Sequence, residues 1–251
     1  MKIWQTWKSR DPKTFHPYYK FCHPSWQELH PDWDYELIDD NDILNFCKTY
    51  FPDVYDDFCN LPKQIYRVDL VRYMILFIKG GLYVDMDFLA LKNHTPLWEN
   101  AEINNTPIVF GKLNDTTNNH YIPNAWMMSV YSNEIFWLLM LEMGFKRCKE
   151  NTKQVEACSG PMLLVDAFKI YNNHRGNISH LCPIFIKMCI RTKLRNSQIQ
   201  LLDTDLIYPC DWRINNKLND IQSWINTLSP LEIREKCPDS YAITFWSHNW
   251  D

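Results

Sequence analysis

The sequence predicts an α/β fold, and three features carry that prediction. The opening alternates strand-like and helix-like runs. A long apolar helix then stops at Gly80-Gly81 and gives way at once to the strand start Leu82-Tyr83-Val84. Short β-prone runs follow at Phe88 to Leu91, Ile108 to Phe110 and Ala125 to Met128, separated by helical stretches.

In order, Ile3 to Trp7 reads as a first strand, followed by a proline-punctuated region from Pro12 to Pro31 that can hold short helices. Tyr35 to Ile38 reads as a second strand, closed by the acidic turn Asp39 to Asp42. There Asp40 or Asn41 is expected to cap a helix carrying Ile43, Leu44 and Phe46. The segment Leu61 to Lys79 is the longest clean helix, with Pro62 near its start and Gly80-Gly81 as its C-terminal stop. Ile135 to Met143 and Pro161 to Ile170 read as helices, and Gln198 to Leu202 and Tyr241 to Phe245 as late strands. This strand, helix, strand, helix opening suits a nucleotide-binding α/β half.

Composition narrows the function. At 251 residues, 46% hydrophobic with only 6 Gly, the chain is expected to form one domain over 1–251 without linkers. A net charge of −4 and a pI near 6.1, with Lys and Arg scattered, exclude nucleic acid as an expected partner. The 11 Trp are read as core first and carbohydrate-facing second. Nine Cys without a CxxC spacing read as reduced thiols. No long apolar leader and no run near the ~20 apolar residues of a membrane span is visible, so a cytoplasmic or membrane-peripheral protein is expected. None of the His residues before position 200 shows HxxxH or HExxH spacing, which argues against a His-based zinc site.

The chemistry lies in an Asp-x-Asp. Two carboxylates two residues apart share one face of an extended segment and can hold one divalent cation, Mn²⁺ or Mg²⁺, which neutralises a departing diphosphate. Four such pairs occur, at Asp32/Asp34, Asp40/Asp42, Asp85/Asp87 and Asp203/Asp205. Only Asp85/Asp87 follows a helix, a Gly-Gly stop and an apolar strand, where a strand end meets a cleft. On the preceding helix Asp69 and Arg72 are three apart and share a face. The carboxylate can accept hydroxyl protons and the guanidinium can fork onto phosphate or sugar oxygens.

The stretch Tyr66-Arg67-Val68-Asp69-Leu70-Val71-Arg72-Tyr73, Leu76 and Gly80-Gly81-Leu82-Tyr83-Val84-Asp85-Met86-Asp87 resembles the DxD sugar-binding region of glycosyltransferase family 32. That family includes fungal mannosyltransferases and is related to the glucosylating domains of large bacterial toxins. Ile3-Trp4-Gln5-Thr6-Trp7 is similar to the family's opening strand, with Trp4 where His is usual. The resemblance implies a GT-A glycosyltransferase fold, with a Rossmann-like central mixed sheet flanked by helices, a donor half over 1–100 and an acceptor-side half over 101–251. It implies transfer of a hexose from a UDP- or GDP-sugar to a hydroxyl on a glycan, protein or lipid, with retention of configuration.

The resemblance also implies site roles. Asp69 and Arg72 bind the donor sugar, Tyr83 lines the pocket, Asp85 meets ribose and metal, and Asp87 is the firmest metal ligand. Trp4 and Gln5 lie near the base, Asn124 near the donor phosphates, and Gly160 and Pro161 in a turn on the acceptor side. In the closing segment Tyr241 to Trp250, the third metal ligand is Thr244 in one register and His248 in another. An imidazole favours His248, and Trp250 joins the donor site. Two alternatives stand beside this reading. One is a phosphatase or phosphotransferase with Asp85 as nucleophile, and the other a non-catalytic protein that binds glycans or nucleotide sugars.

Overall fold

A computed structural model describes residues 1–113, 121–151, 153–174, 193–211 and 217–247. Strand β1 (Lys2–Thr6) lies between β2 (Asp34–Ile38) and β3 (Gly81–Val84) and is parallel to both, with Lys2 opposite Asp34 and Trp4 opposite Tyr83. β6 (Trp126–Ser129) runs antiparallel to β3 and to β5 (Ile108–Gly111), and β7 (Ile199–Leu202) pairs parallel with β5. The result is one mixed sheet in the order β2-β1-β3-β6-β5-β7, flanked by helices, as the α/β reading anticipates.

The run at Phe88 forms β4 (Phe88–Ala90), but it leaves the main sheet and pairs with β8 (Ala242–Thr244) in a separate two-stranded ribbon. The helices that concern the site are α1 (Pro17–Leu29), α2 (Asp40–Tyr50), α3 (Tyr55–Cys59), α4 (Gln64–Lys79), α5 (Thr95–Ile103), α6 (Ile135–Glu150), α7 (Val155–Cys158) and α8 (Pro161–His174). No helix among the described residues is long and apolar enough to cross a membrane.

Two boundaries differ from expectation for local reasons. α2 is capped by Asp39, not by Asp40 or Asn41. The Asp39 carboxylate accepts from the Asn41 and Asp42 amides at 3.0 Å, and Asp42 returns a bond to the Asp39 amide, so the capping box selects the earlier residue. α4 begins at Gln64 and not at Leu61, because Lys63 is extended (φ −132°, ψ 139°) and serves as the N-cap. Every residue from Asp69 to Phe77 is buried, so α4 is a core helix hydrophobic nearly all round.

The glycine stop is a steric requirement. Gly80 and Gly81 have φ of 65° and 105°, and a Cβ on Gly81 would sit 2.5 Å from Trp4 Nε1 and 2.7 Å from the Lys2 carbonyl. Replacing Gly81 by Ala therefore combines backbone strain with overlap. The expected loss is about 3 kcal/mol, read as a fall of roughly 6–12 °C in thermal midpoint. An unchanged midpoint would contradict this account of the turn.

The tryptophans are mainly core. Trp4, Trp26, Trp33, Trp98, Trp126, Trp137 and Trp246 are buried, whereas Trp7 and Trp224 are partly exposed. Trp26, Trp33 and Trp126 surround a buried pair, His30 and His94, whose hydrogen bonds fix both tautomers. The His94 amide donates to His30 Nε2 at 3.0 Å, so the His30 proton lies on Nδ1 and goes to the Trp26 carbonyl at 2.8 Å. Trp126 Nε1 donates to His94 Nε2 at 3.4 Å, leaving the His94 proton on Nδ1 between the Lys92 carbonyl and His30 Nε2.

Burial lowers both pKa values from the ordinary imidazole range, and His30 adds to the lowering at His94. The folded state thus binds fewer protons than the unfolded chain. Stability is complete above the unfolded value near 6.5 and is lost as pH falls below it. An NMR titration should find both imidazoles still mainly neutral at about pH 6.5, where a free imidazole is half charged, and a half-charged ring at that pH would contradict the neutral-pair assignment.

Candidate active site at the end of the third strand

The site forms where α4, β3 and the segment before β6 converge. Asp85 and Asp87 do not alternate along a strand as their spacing suggested. The Phe88 amide bonds back to the Asp85 carbonyl at 3.2 Å, so Asp85-Met86-Asp87 is a turn between β3 and β4, with the Asp85 amide tied to the Ala125 carbonyl at 2.9 Å. The turn folds Met86 against Phe15 and Tyr19.

Arg72 organises the α4 side. Its guanidinium lies 3.1 Å from Asp85 Oδ1 and 3.6 Å from Asp69 Oδ1, donates to the Asn124 carbonyl at 3.1 Å, and stacks over Tyr83 with Cζ 4.9 Å from the ring centre. Tyr83 donates to Asp85 Oδ1 at 2.8 Å and takes a bond from Thr6 Oγ1 at 2.9 Å. Asp69 is held from the second half of the chain: Ser159 Oγ donates to Oδ2 at 2.7 Å and Asn124 Nδ2 to Oδ1 at 3.0 Å. Tyr73 joins these two partners, accepting from Asn124 Nδ2 at 3.0 Å and donating to the Ser159 carbonyl at 2.6 Å.

The expected residues Asp69, Arg72, Tyr83, Asp85, Asp87 and Asn124 therefore come together. Gly160 and Pro161 adjoin them through Ser159, so their turn backs onto Asp69. Tyr73, Ser159 and Thr6 belong to the same network and were not anticipated. Tyr73 stands inside the quoted motif and Ser159 begins the Ser-Gly-Pro turn, but neither carries a local sign of its partner.

The two residues expected near a base separate. Alternation along β1 sends Trp4 and Gln5 to opposite faces. Trp4 enters the core with Tyr83 and Ile38, and its indole donates to the Gly80 carbonyl at 2.8 Å, at the other end of β3 from Asp85. Gln5 stays at the site, donating to the Asp85 carbonyl at 3.1 Å and accepting from Tyr35 at 2.7 Å, while His23 Nδ1 reaches the Tyr35 hydroxyl at 2.8 Å. Tyr35 and His23 line a groove of about 660 Å³ with Arg10, Phe15, Lys20 and Leu37.

Asp87 meets the C-terminal strand: its carbonyl accepts from the Phe245 amide at 3.1 Å and its Oδ2 from the Ser247 amide at 2.8 Å. Thr244 Oγ1 accepts from the Trp246 amide at 3.1 Å, so that oxygen is engaged with the main chain. His248 and Trp250 lie outside the described residues.

Electrostatically the site is short of positive charge. Burial pushes the Asp85 carboxyl up to about 7; Arg72 opposes the rise, and the Asp87 charge adds to it. Burial also raises Asp69, against Arg72, Ser159 and Asn124. Asp69 and Asp85 share one guanidinium while the Asp87 charge bears on Asp85, and a cation between Asp85 and Asp87 would favour the ionised form of both. Among the described residues no group of three His, Cys, Asp or Glu side chains is placed to hold a metal ion. Arg72 Nε is buried with no partner, a donor open to a ligand oxygen beside Asp69 and Asp85.

The comparisons with known proteins fall on this region. Residues 17–106 match the family model described as a glycosyltransferase sugar-binding region containing a DXD motif. An initiation-specific alpha-1,6-mannosyltransferase of Saccharomyces cerevisiae is 36% identical over 99 residues, which is 36% of this chain and 20% of that protein. Inositol phosphoceramide mannosyltransferase 3 of Schizosaccharomyces pombe is 35% identical over 96 residues, 38% of this chain and 26% of that one. The matches thus span about a fifth to a quarter of these relatives' length. The solved structure of the PaToxG glycosyltransferase aligns with 14% identity over 76% of this chain and 73% of its own, with a TM-score of 0.49. The matched residues 17–106 hold the Asp69–Arg72 helix and both carboxylates of the Asp85–Asp87 turn, so the similarity to the DXD-motif glycosyltransferase sugar-binding family falls on the site itself.

Proposed function

We propose that the chain is a metal-dependent glycosyltransferase that moves a hexose from a UDP- or GDP-linked donor to a hydroxyl of a glycan, protein or lipid, with retention. The observation that carries this reading is Arg72, held between Asp69 and Asp85 with its buried Nε unpartnered, in the segment that matches the family. Asp85 and Asp87 would hold Mn²⁺ or Mg²⁺, which when bound supplies positive charge to a departing diphosphate. Asp69 accepts hydrogen bonds from donor hydroxyls, and Arg72 donates to a phosphate or sugar oxygen. Gln5 spans the distance from Asp85 to the groove at Tyr35 and His23, whose aromatic walls suit a nucleobase.

A phosphotransferase with Asp85 as nucleophile is less well supported, because Asp85 Oδ1 is engaged by both Arg72 and Tyr83. Thermal-shift titration with UDP, GDP and their sugars, with and without Mn²⁺, tests the proposal. GDP-mannose is included first, because the named relatives are mannosyltransferases. The proposal expects stabilisation by a nucleotide sugar that disappears on removing Mn²⁺. Stabilisation by no nucleotide under either condition would overturn it.

A further inference from the structure

Tyr208 follows the short helix Thr204–Ile207, and its ring is fully buried, yet its hydroxyl has no hydrogen-bond partner. The Trp126 main-chain amide approaches its oxygen only loosely, and the hydroxyl proton has no acceptor. A phenol with an idle hydroxyl is a poorer core residue than phenylalanine, because the hydroxyl is desolvated and nothing replaces its water. A buried donor of this kind calls for an acceptor, an ordered water or a bound group.

The position of the ring says which group. Tyr208 stacks on Trp246, with centroids 5.5 Å apart and planes at 23°, and meets Phe88 edge-on at 5.7 Å. Phe88 directly follows Asp87, and Trp246 directly precedes Ser247, whose amide donates to Asp87 Oδ2. The phenol is therefore clamped by the two segments that bracket Asp87. A third wall is Gly111 of β5, where a Cβ would come within 2.6 Å of the Tyr208 ring, so the ring is pressed against the strand. Burial, and then the Asp85, Tyr121 and Asp87 charges, push its ionisation far above the ordinary phenol range, which keeps it a donor at any working pH.

We propose that the Tyr208 hydroxyl is a positioning group for the ligand shell of the Asp85–Asp87 pair, donating a hydrogen bond to a water or diphosphate oxygen held there. This rests on the metal and nucleotide reading of the site, and it adds a residue from outside the family-matched segment.

Tyr208→Phe separates this role from packing, because it keeps the ring and removes only the donor. Two quantities are measured: the thermal midpoint of the free protein, and calorimetric affinity for UDP and for GDP with Mn²⁺. The free variant should be at least as stable as the wild type, while affinity for the bound nucleoside diphosphate falls about 10-fold, the loss of one hydrogen bond. Equal affinity in wild type and variant would overturn the proposal, and so would parallel losses of stability and affinity, which mark a packing role. If the wild type itself binds neither nucleotide with Mn²⁺, the functional reading of the site falls, and this role falls with it.

Discussion

Asp87→Asn should abolish Mn²⁺-dependent sugar transfer, with kcat/KM falling on the order of 10³-fold, while the protein stays folded. The substitution keeps side-chain volume and an oxygen that can accept the Ser247 amide, so the junction between the Asp85–Asp87 turn and the C-terminal strand survives. What it removes is the negative charge of one of the two carboxylates proposed to hold the cation. Loss of activity with a preserved thermal midpoint, and with no Mn²⁺-dependent stabilisation by nucleotide, is the expected pattern. Transfer at the wild-type rate would contradict the assignment of Asp87.

Changing Arg72 should damage both activity and stability, in proportions that depend on the replacement. Its guanidinium reaches Asp85, Asp69 and the Asn124 carbonyl at once, a three-way fork that one ammonium cannot reproduce. Arg72→Lys keeps the charge and loses the fork, so activity should fall roughly 10²- to 10³-fold. Arg72→Met leaves the buried Asp69 and the partly exposed Asp85 without their counter-charge, at about 3 kcal/mol, or on the order of 10 °C in thermal midpoint. Arg72 and Asp69 side chains are only 3% and 4% exposed, so solvent does little to screen that loss. A stable, active Arg72→Met protein would show that the ion pairs are not needed for fold or function.

The parts of the site that were legible in the sequence are those set by local chain geometry. The i, i+3 spacing of Asp69 and Arg72, the glycine stop after Lys79 and the carboxylates just past a short strand lie within one helix-turn-strand unit. What escaped depends on distant segments. Ser159 reaches Asp69 across 90 positions, and Asn124, itself expected at the site, makes an unforeseen bond to Asp69 across 55; only the folded sheet brings these partners there. β4 carries an ordinary strand pattern, but the pattern does not say that its partner is β8. Trp4 illustrates a third limit: its motif position suggested a base contact, whereas strand alternation and the tight Gly81 turn draw its indole into the core. Asp39 capped α2 in place of its neighbours because a reciprocal bond from Asp42 outweighs a lone side-chain acceptor. Tyr208 had no sequence signal at all, since an idle hydroxyl is recognised only by what surrounds it.

The central claim is that the Asp85–Asp87 turn and the Asp69–Arg72 pair form one donor site. It is tested most directly by measuring free hexose and nucleoside diphosphate released from UDP- and GDP-sugars by the wild-type protein with Mn²⁺, and again after chelation. The account predicts release from at least one nucleotide sugar, lost on chelation and lost in Asp87→Asn. Release that persists unchanged under chelation and in Asp87→Asn would contradict it.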